Sequence, residues 1–256
     1  MENPRFRKTE AIVLRQLPIG EADRLVTLYT PYAGKVRAVA RGARRAKSRL
    51  AGHIELLTRT RVFVTRGRNL DHISQAETLN GNIALRGDLW RTTCGLYLAE
   101  LVDRFGQEEL ENVALYRLLR DCLEALADAP DTALVLRYFE LRMLSVVGFL
   151  PELRHCVECG AQLAPETNYF SPAVGGVLCP SCRERSTLVR PISVNALKVL
   201  RLFVGANLGT ACDVRLSEEL AVELDNLMRQ YIRYVLERDL KSTEFLDLLR
   251  KQQLPA

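Results

Sequence analysis

Two periods of hydrophobic spacing divide the chain. Between residues 9 and 79, apolar and β-branched residues come in short runs: TEAIVLRQL, DRLVTLYT, KVRAVA, HIELLTRTRVFVT and NLDHISQAETL. Pro18-Ile19-Gly20, Pro31-Tyr32-Ala33-Gly34, Gly67 and Asn69 punctuate them. Such runs between turn residues predict β-strands. Five short strands in one small segment point to a closed barrel. Both the OB-fold and an SH3-like barrel fit that count, and the OB-fold is the five-stranded case that binds nucleic acid.

After Asn82 the period changes to three and four. Ile83, Leu85, Leu89, Trp90, Cys94, Tyr97, Leu98, Leu101, Val102 and Phe105 predict one amphipathic helix ending near Gly106. ENVALYRLLRDCLEALAD and TALVLRYFELRMLSVVG predict two more, the second with Gly148 at its C′ position and Pro151 as a stop. The helical pattern then breaks and resumes at Ser193, an N-cap for VNALKVLRLFVGANL. Ser217 opens the next helix, and TEFLDLLRK suggests a short last one. No polar linker separates the helices on either side of the break, so one shared core is expected for them.

The fold class expected is therefore α+β and multidomain. A five-stranded OB-fold barrel occupies residues 1–80, and a helical domain with an insert at about 153–187 occupies residues 81–256. Hydrophobic residues make up 48% and charged residues 26%, ordinary for a soluble globular protein. No apolar run reaches the roughly 18 residues of a transmembrane helix. MENPRFRKTE has no apolar core of a secretory signal, so a cytoplasmic location with reduced thiols is expected.

The insert carries four of the seven cysteines, as Cys156-Val-Glu-Cys159 and Cys179-Pro-Ser-Cys182 with nineteen residues between the pairs. That is zinc-ligand spacing. A tight turn between paired cysteines aims both sulfurs at one point, and Zn²⁺ accepts four thiolates tetrahedrally. Four thiolates leave no position open for water, so the expected role of the Zn²⁺ is structural. A dithiol redox site needs only one such pair, and structural disulfides do not suit the compartment. His155 is read as a surface histidine. Cys94, Cys122 and Cys212 are read as small packing residues.

Charge is unevenly placed. Residues 1–80 hold 16 Lys+Arg against 7 Asp+Glu, while the whole chain is only +5. Arg41, Arg44, Arg45, Lys47 and Arg49 place five cations in nine positions with no acid among them. Four are arginines, which grip phosphate bidentately and stack on bases. Lys35, Arg37, Arg66 and Arg68 lie on neighbouring segments. Tyr32, in a turn beside Lys35, is the candidate stacking platform, ahead of Tyr29 and Phe63. An interfacial membrane helix does not suit this connection, because Leu50 is its one large apolar residue. Nucleic acid suits it better. Four neutralised phosphates of a single strand would give log K against log salt a slope of about −3.

No phosphate-binding loop, dinucleotide fingerprint or nucleophile elbow is present in the sequence. Glu21-Ala22-Asp23 is the one acidic pair near the basic run, and it is read as pairing with Arg24 or shaping the turn rather than binding Mg²⁺. The chain is expected not to be an enzyme. A second binding reading is an RNA-binding or transcription-associated OB protein with a zinc ribbon.

EADRLVTLYTPYAGKVRAVARGARRAKSRLAGHIEL resembles the N-terminal part of the bacterial RecO family of DNA repair proteins. GFLPELRHCVECG and SVNALKVLRLF resemble its helical part and zinc-binding insert. The resemblance spans nearly the whole chain. It implies an OB-fold followed by a helical domain, binding of single- and double-stranded DNA, and annealing of complementary strands. It also implies partnership with RecR and with the C-terminal tail of single-stranded DNA-binding protein (SSB), a functional link to RecA, and a place in the cytoplasm at the nucleoid.

Overall fold

The computed structural model describes residues 6–237 and 240–253. They form two compact units. One takes the described residues up to Asp128 together with those from Lys241 onward, and the other takes those from Ala129 to Leu240.

The first unit opens with five strands: β1 (Phe6–Ile19), β2 (Asp23–Thr30), β3 (Gly34–Ala40), β4 (Arg59–Thr65) and β5 (Asp71–Asn80). They close in the order β1-β2-β3-β5-β4. β1 makes closure possible because it serves two neighbours. Its first half pairs with β4 and its second half with β2, with an irregularity between Val13 and Arg15 that bends it. A short parallel pairing, Ala38 with Asp71 and Val39 with His72, completes the ring. The strand order and this parallel closure make it an OB-fold rather than another five-stranded barrel. Ala11, Val13, Val26, Leu28, Ala38, Val62 and Ile73 fill the interior.

One predicted strand divides. HIELLTRTRVFVT begins with a 3₁₀ turn at Ala51–His53, and the strand starts only at Arg59. The residues between belong to a plug. Ile54 and Leu57 are fully buried, Leu57 at a positive φ of 64°, so their apolar character reflects burial at the barrel end rather than strand alternation.

The single helix predicted from Ile83 to Phe105 is two: α1 (Ile83–Arg86) and α2 (Leu89–Phe105). Asp88 separates them and caps α2, accepting from the Arg91 N–H at 2.8 Å. Next comes α3 (Val113–Ala125), capped by Asn112. The closing helix α8 (Lys241–Gln253) returns to pack on α2. Gly95 lets α2 approach the barrel plug, since a Cβ there would lie 2.8 Å from Leu57 Cδ1.

The second unit holds α4 (Thr132–Val146), α5 (Val194–Gly205), α6 (Leu208–Cys212) and α7 (Glu218–Leu236). Asp131, Ser193 and Ser217 cap α4, α5 and α7 through their side-chain oxygens. Gly148, at φ +86°, turns the chain out of α4. Between α4 and α5 lies the insert, a small sheet ordered β7-β6-β8 from β6 (Asn168–Ser171), β7 (Gly176–Leu178) and β8 (Arg190–Ile192).

Helices before the insert do pack with helices after it, as expected, but in two cores rather than one. α2 and α3 spend their apolar faces on the barrel, on each other and on α8, whereas α4 packs with α5, α6 and α7. The strand-to-helix change falls between Asn80 and Ile83, and the contact division falls after Asp128.

Candidate metal centre and nucleic-acid interface

In the second unit the four predicted cysteines converge. The sulfurs of Cys156, Cys159, Cys179 and Cys182 all lie within 4.8 Å of one another, and Cys159 and Cys179 approach to 3.8 Å. Two knuckles bring them there. In the first, the Gly160 N–H donates to the Cys156 carbonyl at 2.9 Å and the Cys156 N–H to the Ala161 carbonyl at 2.8 Å. Gly160 takes the positive φ of 73° that this turn requires. In the second, the Cys182 N–H donates to the Cys179 carbonyl at 3.0 Å, opening the 3₁₀ turn Pro180–Arg185. The knuckles are joined through β7, because the Val157 N–H donates to the Val177 carbonyl at 3.0 Å. Gly176 permits the close approach, since a Cβ there would meet the Glu152 carbonyl at 2.7 Å.

The thiols do not titrate alike. Burial raises the Cys156 thiol, but backbone donors at Cys159, Cys179 and Glu158 outweigh it and bring it down to about 6. Burial pushes the Cys182 thiol up to about 12, and its hydrogen bonds to the other three sulfurs and the charge of Cys156 add to the rise. One thiolate forms readily here and resists the next; a bound cation removes that resistance. Four such sulfurs can hold one metal ion. His155 lies outside the group, exposed, with Nδ1 3.8 Å from Glu152 Oε1.

The predicted cations of the first unit separate into two sets. Arg41, Arg44, Arg45, Lys47 and Arg49 are all exposed, and among the described residues no carboxylate pairs with any of them. Their backbone is nevertheless firmly held. The Arg44 N–H donates to the Ala22 carbonyl at 2.8 Å, the Gly42 N–H to Asp23 Oδ1 at 2.7 Å, and the Arg44 guanidinium to the Gly20 carbonyl at 3.0 Å. Ala43 is buried beneath them. Asp23 thus holds this connection, a contact its position in the sequence does not reveal, while Arg24 pairs with Glu55 at 3.0 Å.

Lys35, Arg37 and Arg66 belong to a different environment. Lys35 Nζ donates to the Asp103 carbonyl at 2.6 Å and lies 3.5 Å from Asp103 Oδ1. Arg37 Nε donates to Glu108 at 2.8 Å, and Arg66 lies 3.4 Å from Glu109. Arg68 is exposed beside them. Tyr32 is 68% exposed in the β2–β3 turn, whereas Tyr29 is buried and Phe63 lies under Lys8 Nζ at 5.1 Å from its ring centroid. The hollow around Tyr32 is also lined by Lys8, Arg117 and Arg120, which sequence reading does not single out. The one available signal is the i,i+3 spacing of Arg117 and Arg120 on the polar face of α3, and that pattern alone describes any solvated helix face.

Comparison with known proteins divides the chain at the end of the barrel. The family described as "Recombination protein O N terminal" matches residues 3–82, and "Recombination protein O C terminal" matches residues 86–244. The chain belongs to the RecO family. A DNA repair protein RecO of Roseiflexus sp. (strain RS-1) is 44% identical over 247 residues, covering 96% of this chain and 87% of that protein. The one of Dehalococcoides mccartyi (strain CBDB1) is 38% identical over 254 residues, 99% and 100% of the two chains. That of Symbiobacterium thermophilum is 40% identical over 244 residues, 94% and 96%. The protein is accordingly a RecO-family DNA repair protein. The N-terminal RecO match coincides with the OB barrel, and the C-terminal match contains all four clustered cysteines. Among the described residues, no helix is long and apolar enough to cross a membrane.

Proposed function

We propose that this RecO-family protein is a recombination mediator that works by binding rather than by bond chemistry. It binds single- and double-stranded DNA, anneals complementary strands and, with RecR, helps RecA load onto SSB-coated single-stranded DNA. Its setting is the cytoplasm, at the nucleoid. Residues 1–80 are the nucleic-acid-binding domain and residues 81–256 the helical domain. The C-terminal tail of SSB and RecR are its protein partners.

One observation carries the DNA-binding part. Five exposed cations, Arg41 to Arg49, sit on a backbone anchored by Ala22, Asp23 and a buried Ala43, with no carboxylate partner among the described residues. An anchored cluster of like charge is costly unless an anion offsets it. Phosphate does so, and the arginine fork fits it. Two strands resist pairing partly through phosphate repulsion. Cations that screen those phosphates let complementary bases meet, with no bond broken or made. Lys35, Arg37, Arg66, Arg68 and Tyr32 extend the same reading to the other end of β3.

The metal of the cysteine cluster is Zn²⁺ in this reading. Four thiolates in two knuckles suit its tetrahedral preference and close its shell, so it serves structure. Metal-binding energy here becomes folding energy of the insert.

The test is annealing of complementary SSB-coated oligonucleotides with and without the protein. Faster annealing is expected, with no cleavage of labelled DNA in Mg²⁺ or Mn²⁺. A strong preference for RNA over DNA of the same sequence would overturn the reading in favour of an RNA-binding role.

A further inference from the structure

The first unit carries a second basic surface, away from the loop cluster. β3 runs from Gly34 to Ala40, a length of about 20 Å. The loop cations follow its last residue. At its first residue lies the turn that displays Tyr32, and around that turn three hollows adjoin. One, of about 460 Å³, is lined by Lys8, Tyr32, Arg61, Arg117 and Arg120. A second, of about 390 Å³, shares Lys8, Thr9 and Tyr32 with it and adds Arg7. A third, of about 360 Å³, shares Arg7 and Glu109 with the second and adds Arg66 and Arg68. Shared walls make them one groove, lined by nine Lys and Arg against four Asp and Glu.

We propose that this groove is a second track for single-stranded polynucleotide, with a base stacked on Tyr32 and phosphates on Lys8 and Arg117. The proposal rests on the DNA-binding reading above and adds a separate strand site to it. Three features carry it. The first is the ring of Tyr32, exposed on a turn that is held rigid: Thr30 Oγ1 donates to the Gly34 carbonyl at 3.1 Å and accepts from the Ala33 N–H at 3.1 Å. An exposed aromatic on a fixed turn inside a cationic groove is what base stacking requires. The second is charge. Lys8, Arg117, Arg7 and Arg68 have no carboxylate partner among the described residues, while Arg61 and Arg120 are held by Glu10, Glu77 and Asp121. The third is position. Lys8 from β1 and Arg117 from α3 line the same hollow as Tyr32, so a strand crossing the ring has phosphate partners within that hollow. An unpaired strand offers a free base face to Tyr32, which a duplex does not. With the loop cluster at the far end of β3, the unit presents two separated polynucleotide surfaces, the arrangement that pairing two strands requires.

The experiment measures affinity for a fluorescent single-stranded 20-mer across a salt series. It uses the full chain, Lys8→Ala/Arg117→Ala, Tyr32→Leu, Tyr32→Phe and Arg44→Ala/Arg45→Ala/Lys47→Ala, with thermal midpoints as folding controls. Lys8→Ala/Arg117→Ala is expected to flatten the slope of log K against log salt by about 1.4. Tyr32→Leu is expected to weaken binding at least about fivefold without changing the slope, and Tyr32→Phe to restore it. If the loop variant loses affinity while both groove variants bind as the parent does, the second track is wrong and the DNA-binding reading stands. If the parent itself does not bind, both fall. Displacement of the 20-mer by polyglutamate as readily as by unlabelled DNA, confined to proteins with an intact groove, would make it an acidic-peptide site and overturn the proposal.

Discussion

The backbone N–H of Gly42 donates to Asp23 Oδ1 at 2.7 Å, tying the start of the basic connection to the first residue of β2. Gly42 is at φ +66°, so the chain turns sharply at the point where it is held. This makes the sign of a mutation diagnostic. Asp23→Ala removes a negative charge close to the five cations, and electrostatics alone would strengthen phosphate binding. Anchoring predicts the reverse. The freed loop must be ordered again on binding, so single-stranded DNA affinity should fall several-fold, with about 1 kcal/mol of stability lost alongside. Asp23→Asn keeps an acceptor and sheds the charge, so it should bind more tightly than the parent. Fluorescence anisotropy on the two variants decides between the accounts, and tighter binding by Asp23→Ala would rule out the anchor.

Glu108 and Glu109 occupy two of the groove's cations. Arg37 donates to Glu108 at 2.8 Å, and Arg66 lies 3.4 Å from Glu109. Both pairs are largely exposed, so they add little stability. Glu108→Gln/Glu109→Gln should leave the melting temperature nearly unchanged and release both guanidinium groups. If a strand crosses the groove, affinity rises at low salt and the slope of log K against log salt steepens by about 1.4, as for two further phosphates. The gain should shrink as salt increases. An unchanged salt dependence would mean that no phosphate reaches Arg37 or Arg66.

Much of this arrangement is legible in the sequence where local chemistry decides it. Ser193 and Ser217 stand before apolar-periodic runs and cap α5 and α7; Gly148 ends α4; the two Cys-x-x-Cys pairs predict their own convergence. What escapes is set by distant partners. Helical spacing continues unbroken through Gly87-Asp88, so nothing in the period marks the break between α1 and α2. Ile54 and Leu57 look like strand residues because a barrel plug and a strand both want branched apolar side chains. The return of α8 to α2 depends on a contact between residues some 140 positions apart, Glu100 and Ser242. The basic residues read as one set because the sequence does not tell which end of β3 each one reaches.

The cysteine cluster and the basic surfaces lie in different units, so metal loss should separate two properties. With zinc as the ligand, one ion per chain is expected by elemental analysis. Chelation should raise hydrogen exchange across the insert, notably at the amides of Cys156, Val157 and Cys182 that pin the knuckles. The amides of β1 to β4 should stay protected and single-stranded DNA affinity should persist, because none of the residues proposed to bind phosphate belongs to the insert. Cys156→Ser should lose metal more completely than Cys159→Ser, since Cys156 is buried and Cys159 exposed. A serine at the buried position cannot be rescued by water as a fourth ligand. Equal loss of barrel protection on chelation would show that the metal supports the whole chain rather than its insert.

Acid should loosen α8 before it unfolds the barrel. Glu100 on α2 accepts the Lys241 N–H at 3.1 Å, the Ser242 N–H at 2.8 Å and the Ser242 hydroxyl at 2.6 Å, so it caps the helix that begins at Lys241. Burial pushes this carboxyl up, but the Ser242 and Lys241 donors and the nearby Arg104 together hold it below the ordinary value of 4.5. A carboxyl depressed in the folded protein contributes stability that is fully present above its unfolded value. That contribution is lost as pH falls through the folded one. The protection of α8 amides from hydrogen exchange should therefore be flat from neutral pH to about 5 and decline below 4.5. Glu100→Ala should give the loosened helix at pH 7 already, costing about 1–2 kcal/mol as for a lost cap. It should also remove the part of the acid dependence that Glu100 contributes, leaving only what Glu244 and Asp247 of α8 itself supply. Protection that persists in the parent well below pH 4, or that declines equally in Glu100→Ala, would remove Glu100 from the role of latch.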